Sequence, residues 1–270
     1  MPDAPYDLLT RLTALSPRGL GPVNAQVRQT CAAALAVAPL PAEDTPSADP
    51  AVRDFAEQFA VDVAGISATQ RDAFLAALGD KAFSVTALIF VADFMPRVLA
   101  GLRACGLPDV PEPAGWDHDT DPIDLLLNRF APTVGALRSL DPVTTEVVRL
   151  RGAVAHNCRL CRSLREGAAL DAGGTESMYE DIEHYDTSTL LEERHKVALR
   201  YVDALIWTPS RIGADGVRVH FTDDEATELT LDVMRNAANK IAVALAADAP
   251  RVAEGTERYL LGVDGQPVYS

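Results

Sequence analysis

The sequence predicts an all-α protein. Ala, Leu and charged residues recur at three-to-four spacing along most of the 270 residues, and alternating runs of β type are nearly absent. Several periodic segments also open on a capping box, a Ser or Thr followed three residues later by Glu or Gln. With 48% hydrophobic residues, a chain of this length can bury a large core.

In chain order, "LPAEDTPSADP" (40–50) is rich in turn formers and interrupts the helices. Ser67 with Gln70 predicts a helix over 68–78. The longest apolar run, "AFSVTALIFVA" (82–92), lies between Lys81 and Asp93. It is too short for a bilayer, which takes about 20 residues, and reads as a buried helix. Pro96 in "FMPR" (94–97) stands late in that helix and should kink or end it. "GLPDVPEPAGWDHDTDP" (106–122) is expected to separate an N-terminal helical unit, 1–115, from a second unit, 120–270. Asp141 before Pro142 supplies an N-cap and a first-turn proline for a helix over 142–155. His156-Asn157 breaks it, and Asn157 is the expected cap of a second helix beginning at Cys158. Thr189 with Glu192 and Thr222 with Glu225 predict helices over 190–206 and 223–246, with "WTPSRIGADG" (207–216) as the loop between them.

An internal echo suggests duplication. "VADFMPRV" (91–98) resembles "AADAPRV" (246–252), and a capping Ser or Thr stands 26 residues before the Asp in each, Ser67 before Asp93 and Thr222 before Asp248. Short Ala/Asp/Pro motifs also recur by chance in an Ala-rich chain. If the repeat is real, the first half lacks the cysteine pair and is a scaffold.

The formal net charge of −15 argues against a general nucleic-acid or anionic-membrane surface, because phosphate binding needs clustered Lys and Arg. The N-terminus shows no basic segment followed by an apolar one, so the expected location is cytoplasmic. In a reducing cytosol, Cys31 and Cys105 read as small buried hydrophobes. Cys158 and Cys161 are different. They stand three apart in "HNCRLCRSLR" (156–165), and from 138 to 165 there are six arginines against Asp141 and Glu146. On a continuing helix, at about 100° per residue, Cys158 and Arg165 share one azimuth with Cys161 about 60° away. A helix N-terminus and this positive field would both favour a thiolate, the form that nucleophilic and redox cysteines need.

Glu146, eleven residues, Cys158, two residues and Cys161 together resemble the core motif of the alkylhydroperoxidase D and carboxymuconolactone decarboxylase family. "LLEERHKVALRYVDALIWTP" and "FTDDEATELTLDVMRNAANKIAVAL" also look like that family, so the likeness covers roughly 120–250. The resemblance implies an all-helical homo-oligomer whose cysteines cycle between dithiol and disulfide while reducing peroxides. It implies no bound cofactor: a peroxide or disulfide is the substrate and an external dithiol restores the pair. Redox members carry a His after the second Cys where this chain has Arg165, and some carry another where it has Leu160. Arg165 cannot relay a proton at neutral pH but can hold a thiolate, leaving Glu146 or His156 for proton transfer. His156 can equally be a helix-break residue bonding backbone, and Glu146 a partner of Arg149 or Arg151 on its own helix.

Other readings stay open. Half a zinc site needs further ligands, and no second CxxC or close His pair follows. A cofactor-free decarboxylase or lactone-processing member would generally lack the CxxC. A structural or redox-sensing member is the third. Asn236, Asn239 and Lys240 form a polar cluster on an apolar helix, suited to a subunit contact or a pocket wall.

Overall fold

The computed structural model describes residues 4–269, and they form a mainly helical protein. The first half contains α1 (Pro5–Ala14), α2 (Gly21–Leu35), α3 (Pro50–Val61), α4 (Ala68–Leu78) and α5 (Ala82–Ala104). A π-helical segment, Asp124–Phe130, leads into α6 (Ala131–Gly135). Then follow α7 (Pro142–Ala155), α8 (Arg159–Arg162), β1 (Leu164–Glu166), α9 (Gly167–Asp171), α10 (Glu176–Glu180) and α11 (Glu193–Trp207). The chain closes with α12 (Val217–His220), α13 (Asp223–Ala237), α14 (Lys240–Ala244), β2 (Glu257–Leu261) and β3 (Pro267–Tyr269). The strands make one small sheet in the order β1-β2-β3, parallel across β1 and β2 and antiparallel across β2 and β3. β1 follows directly on the cysteine segment, so the sheet folds the C-terminal hairpin back over it.

Local chemistry sets the helix starts. Ser67 and Gln70 form the expected box at α4, as do Thr222 and Glu225 at α13. Asp141 accepts the Thr144 N–H at 2.8 Å to start α7, with Pro142 in its first turn. α11 departs from expectation. The Thr189 box does not form, because the Ser188 hydroxyl takes the Leu190 and Leu191 N–H groups, and the helix begins with a reciprocal cap between Glu192 and His195.

Tertiary packing bears on two further expectations, that Pro96 kinks or ends its helix and that one helix spans 223–246. α5 passes through Pro96 and continues to Ala104. An interior proline disfavours a helix by about 3 kcal/mol, but every side chain from Val85 to Val98 is buried here, each large apolar one contributing about 1.5–3 kcal/mol. The apolar excess of this helix is therefore used within the chain, against α2, α13, α1 and α11. By length and composition the stretch Ala68–Ala104 could cross a membrane, yet its most apolar window is 89% buried inside the protein, as in a core helix. The long helix expected over 223–246 is also broken, at Ala238-Asn239, and resumes at Lys240.

One apolar cluster draws residues from both halves, including Phe55, Phe90 and Phe94 with Leu229, Met234 and Ile241. Cys31 and Cys105 are buried in it as free thiols. The two echoed segments differ in conformation: Asp93 sits inside α5, whereas Asp248 lies in the loop after α14. Both aspartates are nevertheless buried and ion-paired.

Candidate active site

α7 places Glu146 and Arg149 on one face, three residues apart, and both are buried. The Arg149 Nε and Nη2 donate to the two Glu146 carboxylate oxygens at 2.6 and 2.7 Å. Its remaining donors reach forward, Nη1 to the Cys161 carbonyl at 2.8 Å and Nη2 to the Leu164 carbonyl at 2.7 Å. Glu146 Oε1 also accepts the Glu166 N–H at 3.2 Å. This pair ties the cysteine turn and β1 to α7. Burial opposes charge on Arg149, but the adjacent carboxylate outweighs it and its pKa is raised. The Arg149 pairing read as one alternative for Glu146 is thus the arrangement the fold adopts.

At the end of α7 the Asn157 N–H bonds the Val154 carbonyl and the Cys158 N–H bonds the Ala153 carbonyl, each at 3.0 Å. That is a Schellman close, with Asn157 in the left-handed position at φ 49°. Cys158, rather than Asn157, then caps α8, its sulfur accepting the Cys161 N–H at 3.2 Å. A disulfide joins Cys158 to Cys161 across a Cα–Cα distance of 5.3 Å. From the far end of the chain, Asp248 accepts the Arg159 N–H at 2.9 Å and pairs with its guanidinium, and the Asp248 carbonyl accepts the Leu160 N–H.

Arg165 is not where the helical azimuth puts it. α8 lasts one turn and the chain becomes extended at Leu164, so the seven-residue spacing from Cys158 no longer maps onto a helix face. Arg165 instead binds Glu176 through Nε and Nη2, lies over the Tyr179 ring and donates to the Arg162 and Leu164 carbonyls. Arg151 and Arg159 are likewise paired, with Asp203 and Asp248. Of the arginines near the cysteines in sequence, Arg149 reaches the wall of the cavity beside the disulfide.

That cavity has a volume of about 180 Å³. Both cysteines and His156 line it, with Arg149, Arg235, Asn236, Asn239, Lys240, Tyr259 and Tyr269. His156 ends α7, buried, with its ring edge-on to Phe94. Burial, and then the charges of Lys240 and Arg97, hold its pKa well below the ordinary value, so the ring is neutral. Lys240 is 3% exposed and its ammonium lies 2.5 Å from Asp93 Oδ2. Burial lowers its pKa although Asp93 opposes the shift. Asp93 also accepts from Arg97 Nη2 at 2.7 Å, and Arg97 donates to the carbonyls of Ala60, Leu205 and Ile206. The break between α13 and α14 turns Asn236, Asn239 and Lys240 onto the cavity, so the polar cluster forms part of its wall.

Arg149, Arg235, Asp93, Arg97 and Asp248 escaped the sequence reading as site residues. A signal existed for the two aspartates, since both head the echoed motifs. Among the described residues, no group of three His, Cys, Asp or Glu side chains is placed to hold a metal ion.

Fold and site together define a helical protein with a disulfide-linked CxxC pair in the wall of a cation-lined cavity. Two Mycobacterium tuberculosis sequences, described as uncharacterized proteins Rv2313c and MT2376, are each 53% identical to the chain over 277 aligned positions, 97% of this chain and 97% of the relative. The chain belongs to the family that these proteins represent. No family model matches it, and no solved structure does.

Proposed function

We propose that the protein is a thiol-dependent peroxidase or disulfide oxidoreductase of the alkylhydroperoxidase D type, working through Cys158 and Cys161. The observation that carries this reading is the disulfide across the CxxC in the wall of a cavity with cations and a neutral imidazole. An external dithiol reduces the disulfide by two exchange steps, leaving two thiols here and a disulfide on the donor. One thiolate then attacks the peroxide: an S–O bond forms, the O–O bond breaks, and the alkoxide leaves as alcohol after taking a proton. The second thiol displaces the sulfenic oxygen as water and restores the disulfide before further oxidation.

In this scheme the stabilising charge comes from Arg149 and Lys240, the role first given to Arg165. Glu146 is a positioning residue acting through Arg149 on the Cys161 carbonyl. The neutral His156 ring offers a nitrogen to accept a thiol proton. We also propose that the chain works as a homo-oligomer, on the family resemblance alone.

The test is a thiol titration of dithiol-reduced protein mixed with hydrogen peroxide or cumene hydroperoxide. The expected result is rapid loss of the Cys158 and Cys161 thiols, with cumyl alcohol formed in proportion from cumene hydroperoxide, and dithiol-dependent turnover abolished in Cys158→Ser and Cys161→Ser. No turnover with any dithiol donor would reject the enzyme and leave a structural or redox-sensing protein.

A further inference from the structure

The cavity wall is chemically one-sided. Arg149, Arg235 and Lys240 line it and, among the described residues, no carboxylate does, although the chain carries 39 acidic residues against 24 Lys and Arg. The partner acids are not part of that wall: Glu146 holds Arg149, Asp232 holds Arg235 at 3.2 Å, and Asp93 holds Lys240. Asp93 is shared between Lys240 and Arg97, so this buried group has two cations for one carboxylate. Asn236 adds a second kind of signal. Its Nδ2 is buried and has no hydrogen-bond partner among the described residues, while the residue lines the same wall. Such orphaned donors are rare in folded proteins. Burial pushes the Tyr259 phenol up to about 12, so at neutral pH it too is a neutral donor.

We propose that this cavity binds a small organic monoanion, its carboxylate held by Lys240, Arg235 and the Asn236 amide. Cations in a largely desolvated recess focus a positive potential, and charge-assisted donors replace the water a carboxylate gives up on entry. A monoanion balances the one surplus charge of the Lys240–Asp93–Arg97 group. The volume of about 180 Å³ sets the size, because a cavity of roughly 150 Å³ accommodates benzene. The substrate therefore carries a carboxylate close to its O–O or S–S bond. This last statement rests on the redox reading above, whereas the anion site does not.

The binding test is isothermal titration calorimetry of the full chain with benzoate and its neutral isostere benzamide. It is run on the disulfide form and on a Cys158→Ser/Cys161→Ser variant that has no redox chemistry. Benzoate should bind both proteins, at least about tenfold more tightly than benzamide, and weaken as salt is raised. Lys240→Met, which leaves Asp93 balanced by Arg97, should cost about tenfold in benzoate affinity. Asn236→Asp, which exchanges the amide donor for a charge of the anion's own sign, should abolish binding while a retained thermal transition shows that the variant is folded. No benzoate binding, equal binding of benzamide, or unchanged affinity in Asn236→Asp would overturn the anion site whatever the enzyme's turnover. The substrate class is read separately, as the ratio of kcat/KM for 3-(2-hydroxyethyldithio)propionate over 2,2′-dithiodiethanol and for 3-hydroperoxy-3-methylbutanoate over tert-butyl hydroperoxide. A preference for the charged member of either pair supports the assignment. Turnover without preference in both overturns the substrate class alone, and absent turnover with benzoate bound overturns the redox reading while the anion site stands.

Discussion

His156 is neutral because it is buried beside two cations, and that makes acid stability a property of single residues. The unfolded chain takes up a proton near pH 6.5, whereas the folded His156 resists it. The unfolded state thus binds more protons below that pH, and stability falls as pH falls, by up to about 1.4 kcal/mol per pH unit until the folded pKa is reached. His195, lowered by burial despite Asp141 and Glu192, acts with the same sign, since its Nδ1 accepts the Glu192 N–H. Urea unfolding between pH 7.5 and 5.5 should show the decline, and His156→Leu should flatten it; an unaltered slope would assign the loss elsewhere. A second residue-scale contrast separates Glu146 from Arg165. Glu146→Gln leaves the buried Arg149 without its carboxylate and should destabilise by about 3–5 kcal/mol. Arg165→Ala removes a pair whose Glu176 is 52% exposed, worth about 0–1 kcal/mol, and should leave thiol reactivity near wild type. Denaturation midpoints and iodoacetamide labelling rates of the reduced proteins check both. The Glu146 and cysteine spacing was legible in sequence because it is confined to residues 146–161. Arg165 does not share the azimuth of Cys158 because α8 ends after a single turn and the chain is extended from Leu164.

Helix ends decide how the cysteines are presented. α7 closes on Asn157 and α14 on Ala246, both with positive φ, at 49° and 56°. At Ala246 the Ala247 N–H bonds the Ala242 carbonyl, the same close as at Asn157. Asn tolerates the left-handed region, whereas Ala is strained there and Gly is not. Ala246→Gly should therefore stabilise by about 0.5–1 kcal/mol and raise Tm by roughly 1–3 °C, measured by thermal unfolding. A lowered Tm would mean that the methyl group packs better than the backbone strain suggests. The starts of α4, α7 and α13 could be read directly, since a capping residue and its N–H donors lie within one turn. Their lengths could not. The break before Lys240 is coupled to a buried partner on α5, which no local pattern records.

At the scale of the molecule, the Lys240–Asp93–Arg97 group joins the halves: Asp93 and Arg97 come from α5, Lys240 from α14, and the carbonyls that Arg97 binds from the ends of α3 and α11. Asp93→Asn leaves two buried cations without a counter-charge and should destabilise by about 3–5 kcal/mol, well beyond Lys240→Met, which leaves a balanced pair. Urea denaturation compares them, and equal losses would show that charge balance is not what Asp93 supplies. With one core cluster shared by both halves, wild-type unfolding should be a single transition. Homo-oligomerisation is expected in light scattering at micromolar concentration; a monomer mass throughout would withdraw it. The side chains of α5 from Val85 to Val98 are buried inside the chain and offer no surface for it.

The sequence by itself determined the helical class, the capped starts of α4, α7 and α13, and a cysteine pair spaced for a disulfide. Each depends on interactions spanning a turn or so of backbone, whose partners are adjacent in the chain. Tertiary structure alone decided that α5 runs through Pro96, that α8 stops after one turn, and that the cations facing the disulfide are Arg149, Arg235 and Lys240 rather than Arg165. Those outcomes follow from burial: a charge removed from water must find its counter-charge and its carbonyls wherever the packed chain brings them, here up to 147 residues away.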